Sequence, residues 1–236
     1  MKVEVCATHI ETVRLAQLAG ADRIELCSEL SLGGTTPSAG LIQTAVTQYR
    51  IPIQCLIRPR SGDFIYSKNE FEIILNDIQK AKSMGVAGIV VGLMTKNNEI
   101  DWNQLEQAIS VAKPLEITFH RAFDLVRNPE SSLENLIAMG VDRILCSGKA
   151  DQAAIGIDVL VDWKKLAGGR IEIQPGGGIN MENCALFIRH QFPSLHLSAM
   201  KKKSSDAGAD TLESLWQQPK EIADWETLQY VVNACH

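Results

Sequence analysis

Three observations predict that the 236-residue chain folds as a single-domain α/β protein, a TIM (β/α)8 barrel over residues 1–236. Short apolar segments alternate eight times with helix-patterned ones, and a barrel of this class typically needs about 250 residues. Each apolar segment ends in polar residues or glycine, where such a fold gathers its chemistry at one mouth. The phrases Gly20-Ala21-Asp22-Arg23-Ile24 and Gly140-Val141-Asp142-Arg143-Ile144 repeat one helix-to-strand turn far apart in the chain. No shift in composition marks a second domain, and a doubly wound open sheet is the rival architecture.

Taken in order, Val3–Ala7 reads as a strand, followed by a helix over Glu11–Ala19 closed by Gly20. Arg23–Ser28 is the second strand; a long loop over Glu29–Ser38 leads to a helix near Ala39–Tyr49. Ile53–Ile57 precedes the loop Arg58–Tyr66 and a helix over Lys68–Met84, with Gly85 as its stop. Gly88–Leu93 is followed by a helix capped by Asp101 and ended before Pro114. Leu115–His120 is the fifth strand, and a helix over Pro129–Met139 stops at Gly140. Arg143–Ser147, a helix over Asp158–Leu166, and Ile171–Gln174 follow. A glycine loop, a helix over Met181–Gln191 and the strand Leu195–Ala199 complete eight units. A loop and final helix fill about 200–236, the helix spanning Asp224–Ala234. Glycine after helices and short β-rich runs between them are the punctuation of βα units.

Composition narrows the function. The formal net charge is −5 and the longest basic run is Lys201-Lys202-Lys203, so no nucleic-acid partner is expected. No apolar run approaches the ~18 residues of a membrane span, and the chain opens directly on a strand. A cytoplasmic protein without a membrane partner is therefore expected. Six cysteines without disulfide-scaffold spacing fit reduced thiols. No CxxC pair signals a structural zinc knuckle.

Barrel strands are covered by helices outside and filled inside, so polar residues at every second position mark the inward face. That phase selects Glu4 and Cys6, then Arg23, Glu25 and Cys27, then Gln54, Leu56 and Arg58. It also selects Glu116, Thr118 and His120, then Glu172 and Gln174, then His196 and Ser198. Cys55 falls outward, and Cys146 is ambiguous. Cys6 and Cys27 lie on neighbouring strands about 4.8 Å apart, a spacing at which two thiolates clasp one soft ion such as Cu(I). The alternative is that both are small core residues.

His120, beside Arg121 and Asp124, is a candidate general acid or base, with Glu25 or Asp124 assisting. Arg58 and Arg60 are candidate anion ligands, or else internal ion pairs. Pro175-Gly176-Gly177-Gly178 enters a helix, and Gly176, Gly177 and Gly178 are candidates for phosphate or another anion. His196 is a weaker candidate; His9, His190 and His236 read as surface or helix residues.

Several phrases resemble the CutC family: Glu4-Val5-Cys6, Gly20 through Cys27, Gly33-Gly34-Thr35-Thr36-Pro37-Ser38, Ile57 through Phe64, Thr118 through Asp124, and Pro175 through Asn180. The resemblance runs from residue 4 to about 199. It implies a cytosolic TIM barrel, oligomeric and in the first instance a homodimer, associated with copper homeostasis and tolerance. It implies copper, as Cu(I), held by Cys6 and Cys27, and assigns no reaction. Cys146, Thr35 and Met200 depart from the family's phrases; Met200 stands where a basic residue is common, which weakens an anion site after strand eight. The alternative is an enzyme acting on a small phosphorylated or carboxylated metabolite at the mouth.

Overall fold

The computed structural model describes residues 1–202 and 221–236, and in it eight parallel strands alternate with helices. The order is β1 (Lys2–Ala7), α1 (Ile10–Ala19), β2 (Arg23–Leu26), α2 (Ala39–Gln48), β3 (Ile53–Leu56) and α3 (Lys68–Met84). It continues β4 (Gly88–Val91), α4 (Trp102–Ala112), β5 (Glu116–Phe119), α5 (Pro129–Ala138) and β6 (Arg143–Cys146). Then come α6 (Ile157–Ala167), β7 (Glu172–Pro175), α7 (Cys184–Arg189) and β8 (Ser194–Leu197). Each strand from β1 to β6 pairs with the next, and β8 pairs with β1. The last seam is a bridge between Gly176 and His196. A side chain at Gly176 would meet Leu145 at 2.4 Å and His196 at 3.2 Å, so the seam needs glycine there. The barrel, not the open sheet, is the architecture.

Local chemistry sets the helix ends. Gly20 and Gly85 terminate α1 and α3 at φ 86° and 89°, a left-handed conformation that side chains resist. Ser67 and Glu70 form a reciprocal capping box at the start of α3. Asp101 caps α4 by accepting the Gln104 N–H at 3.0 Å.

The repeated Gly-x-Asp-Arg-Ile phrase does the same work twice. Asp22 accepts the Val3 N–H at 2.7 Å, and Asp142 accepts the Ile117 N–H at 2.8 Å, each tying a turn to the neighbouring strand. The following arginines both turn inward. Arg23 bonds Glu4 at 2.5 Å and Glu172 at 2.6 Å; Arg143 bonds Glu172, Glu116 and Thr118 at 3.0, 3.1 and 2.6 Å. Gln54 adds a bond to Glu116 at 2.9 Å. This charged layer fills the barrel at the N-terminal ends of its strands, the end of this architecture that serves stability.

Apolar side chains on the outer strand faces, Cys55 and Cys146 among them, pack under the helices as the main core. Cys6, Cys27, Leu56 and Val90 form a separate small cluster inside the barrel.

Some elements differ from expectation. A 3-10 turn, Arg121–Leu125, follows β5. Helix α7 begins at Cys184 rather than Met181, because Asn180 and Asn183 side chains take up the backbone groups of a preceding turn. Where a loop was expected after residue 200, Met200–Lys202 (β9) pairs antiparallel with Glu221–Ala223 (β10), ahead of α8 (Trp225–Cys235). Most of that expected loop, with Lys203 and Trp216, lies outside the described residues. Among the described residues no helix is long and apolar enough to cross a membrane.

Candidate functional site

Above the charged layer the barrel opens into a cavity of about 320 Å³. Cys6, Glu25 and His196 reach its wall from β1, β2 and β8, His120 and Arg121 from the end of β5, and Gly177 and Gly178 from the loop after β7. The inward phase is what collects residues so distant in sequence.

Cys6 and Cys27 are brought together, their sulfurs 3.3 Å apart. Both are free, buried thiols. The contact with Cys27, burial and the neighbouring Glu25 carboxylate hold Cys6 protonated well above the ordinary thiol range. Two thiolates so close repel each other, so ionising both requires a cation.

His196 was underrated from sequence. Its Nδ1 lies 2.8 Å from Glu4 Oε1, and its Nε2 lies 3.6 Å from Glu25 Oε2. Burial alone lowers its pKa, but the Glu25 charge and the Glu4 hydrogen bond outweigh that and raise it. Burial raises Glu4, yet its bond to His196 and the charge of Arg23 prevail, and its carboxyl falls to about 2. Glu25 goes up, chiefly by desolvation, against the pull of His196. The signal was legible: Glu4 and His196 share the inward phase on the first and last strands, which closure makes register partners.

His120 is buried, but not as a base near neutral pH. Desolvation and the Arg58 charge press its pKa to about 3. Its Nδ1 accepts the Ala122 N–H at 3.1 Å, so the proton of the neutral ring sits on Nε2, which has no partner. Phe64 packs on the ring at 4.6 Å between centroids. A Cβ at Gly92 would lie 2.0 Å from ring atom Cε1, so glycine is what admits the imidazole. His120 offers a neutral N–H donor in place of the expected proton shuttle.

Three expected site residues serve the scaffold instead. Arg58 donates to the carbonyls of Leu32, Gly34 and Gly62 at 3.0, 2.7 and 2.7 Å, and is absent from the cavity wall. Arg60 is held by Glu70, Asp63 and the Ile65 carbonyl. Asp124 accepts from the Ser147 N–H and hydroxyl, the Lys149 N–H and Arg121. Arg121, not Arg58 or Arg60, is the guanidinium at the cavity. Of the glycines, Gly176 belongs to the barrel seam. A side chain at Gly177 would crowd Arg121 Nη1 at 3.1 Å. Helix α7 begins at Cys184, and a turn held by Asn180 and Asn183 separates it from the glycine loop, with Asn183 Nδ2 donating to the Gly178 carbonyl at 2.8 Å.

The family model for the CutC family matches residues 1–201. The chain belongs to the CutC family. The CutC protein of Pasteurella multocida is 46% identical over 207 residues, covering 87% of this chain and 85% of its own. A human relative named copper homeostasis protein cutC homolog is 44% identical over 204 residues, covering 86% of this chain and 75% of its own. The crystal structure of CutC from Streptococcus agalactiae superposes with a TM-score of 0.78 at 33% identity, covering 83% of this chain and 97% of that one. The stretch that CutC proteins share holds every cavity residue named above.

Proposed function

We propose that this CutC protein binds Cu(I) through Cys6 and Cys27 and serves copper homeostasis in the cytosol. The observation that carries the reading is the buried thiol pair, 3.3 Å between sulfurs, in a family whose human relative is named for copper homeostasis. Thiolate sulfur is the soft donor that Cu(I) favours over harder oxygen ligands. The ion supplies the positive charge that lets both thiols ionise. Anaerobic Cu(I) competition against a chromophoric chelator tests this with the unaltered protein, Cys6→Ser and Cys27→Ser. One-to-one binding lost in both variants supports the clasp; binding indifferent to either change rejects it.

A second reading is favoured by the unpartnered His120 Nε2–H and by Arg121 at the same cavity. Together they suit an enzyme acting on a small phosphorylated or carboxylated metabolite: Arg121 would hold the anion and His120 would donate a hydrogen bond to an oxygen. Glu25 and His196 are the carboxyl and imidazole at the cavity wall available for proton transfer. A screen of such metabolites by thermal shift, repeated with Arg121→Met, tests it; an unshifted melting temperature throughout rejects it.

A further inference from the structure

The cavity holds a second constellation, which shares only Cys6 with the thiol pair. Cys6 Sγ, a Glu25 carboxylate oxygen and a His196 ring nitrogen all lie within 4.8 Å of one another. Cys27 is not part of this group and does not reach the cavity wall. We propose that Cys6, Glu25 and His196 form a three-ligand zinc site whose fourth coordination position opens into the cavity.

The donor set is one thiolate, one imidazole and one carboxylate, the three ligand types zinc accepts. Atoms bound to zinc at about 2.0–2.3 Å in a tetrahedral array stand about 3.3–3.8 Å apart. The 3.6 Å between His196 Nε2 and Glu25 Oε2 is too long for a good hydrogen bond and falls in that range. The orientation of His196 is set from behind. Glu4 receives Nδ1–H at 2.8 Å, leaving Nε2 as the coordinating nitrogen, the carboxylate–histidine–metal relay found around bound zinc. Glu4 is in turn fixed by Arg23 at 2.5 Å. Three ligands facing a cavity of about 320 Å³ leave room for a water or a substrate oxygen on the metal, the arrangement of catalytic rather than structural zinc.

The geometry of the thiol pair sets the two sites apart. With sulfur–metal bonds of about 2.3 Å, sulfurs 3.3 Å apart subtend about 90° at a shared ion, so Cys6 and Cys27 alone leave the rest of a metal's coordination sphere unfilled. Cys6 is common to both sites, which makes occupancy by the two ions mutually exclusive.

The test is a double dissociation. Zinc affinity is measured anaerobically by chelator competition for the unaltered protein, Cys27→Ser, His196→Asn and Glu25→Gln. Asparagine at 196 keeps an N–H for Glu4 while removing the coordinating nitrogen, and circular dichroism checks that each variant is folded. One-to-one binding kept in Cys27→Ser, but weakened by about 100-fold or more in His196→Asn and Glu25→Gln, is expected. Glu4→Gln weakens it by about 10- to 100-fold. Cobalt(II) in place of zinc gives intense visible bands that shift when azide takes the open position. Zinc binding that depends on Cys27 and ignores His196 overturns the proposal, as do absence of binding and cobalt bands that azide leaves unmoved. Cu(I) titration of the same variants separates the readings, since copper held by the thiol pair depends on Cys27 and not on His196.

Discussion

Two histidines line the same cavity and their protons behave in opposite ways, because what surrounds each ring differs. Among the described residues no carboxylate acts on His120; burial and the Arg58 charge leave it neutral, with a pKa of about 3. His196 stands between Glu4 and Glu25, which raise its pKa above the ordinary imidazole value. In a metal-free sample titrated by NMR, the His120 ring resonances should stay flat between about pH 5 and 8, where a free histidine titrates. Those of His196 should show a charged ring at pH values where free histidine has lost its proton. An inflection for His120 near pH 6.5 would contradict the desolvation of its ring. Position alone marked His120 as a candidate, since it ends a barrel strand beside Arg121 and Asp124. Its protonation was not readable, because desolvation comes from Phe64 and Gly92, which reach the ring from other strand ends.

At the scale of elements, the strand-to-helix loops are tied down by charged side chains that the sequence presents as ligands. The Arg58-Pro59-Arg60 run resembles an anion clamp until the backbone carbonyls of Leu32, Gly34 and Gly62 are seen to converge on Arg58. No residue-type pattern encodes where carbonyls will point, so that role was illegible. Arg58→Met should cost about 2–4 kcal/mol in denaturant unfolding, since it removes charge-assisted bonds and leaves buried acceptors unpaired. Amide exchange should quicken at residues 32–34 and 62, while Cu(I) affinity changes little. A variant as stable as the unaltered protein would mean that the strap carries no load. By contrast, the strands, helix stops and Cys6–Cys27 pairing were readable, because they depend on periodicity, glycine placement and strand order.

At the scale of the whole barrel, the repeated Gly-x-Asp-Arg-Ile phrase delivered two buried arginines into one layer shared with Glu4, Glu116 and Glu172, and that layer governs response to acid. Glu4 and Glu172 both have carboxyl pKa values below the ordinary 4.5; burial opposes this, but hydrogen bonds and the arginine charges win. A carboxylate with a depressed folded-state pKa stabilises the fold above its unfolded value, and that stabilisation disappears as pH falls toward the folded one. His120 acts in the same direction, since below about pH 6.5 the unfolded chain takes up a proton that the folded chain refuses. Glu25 acts oppositely, but its raised pKa makes its contribution complete once pH has dropped to 4.5. Below that point Glu4, Glu172 and His120 all favour unfolding, while the opposite contributions of Glu25 and His196 are already complete and grow no further. The guanidinium midpoint of the metal-free protein should therefore fall steeply between about pH 4.5 and 2.5, by several kcal/mol of stability in sum. Glu172→Gln, with no carboxylate to protonate, should be less stable at neutral pH and show a shallower slope in that window. Equal slopes in the two proteins would place the acid sensitivity outside the barrel interior, and the charged layer would then be packing rather than the electrostatic closure of the fold.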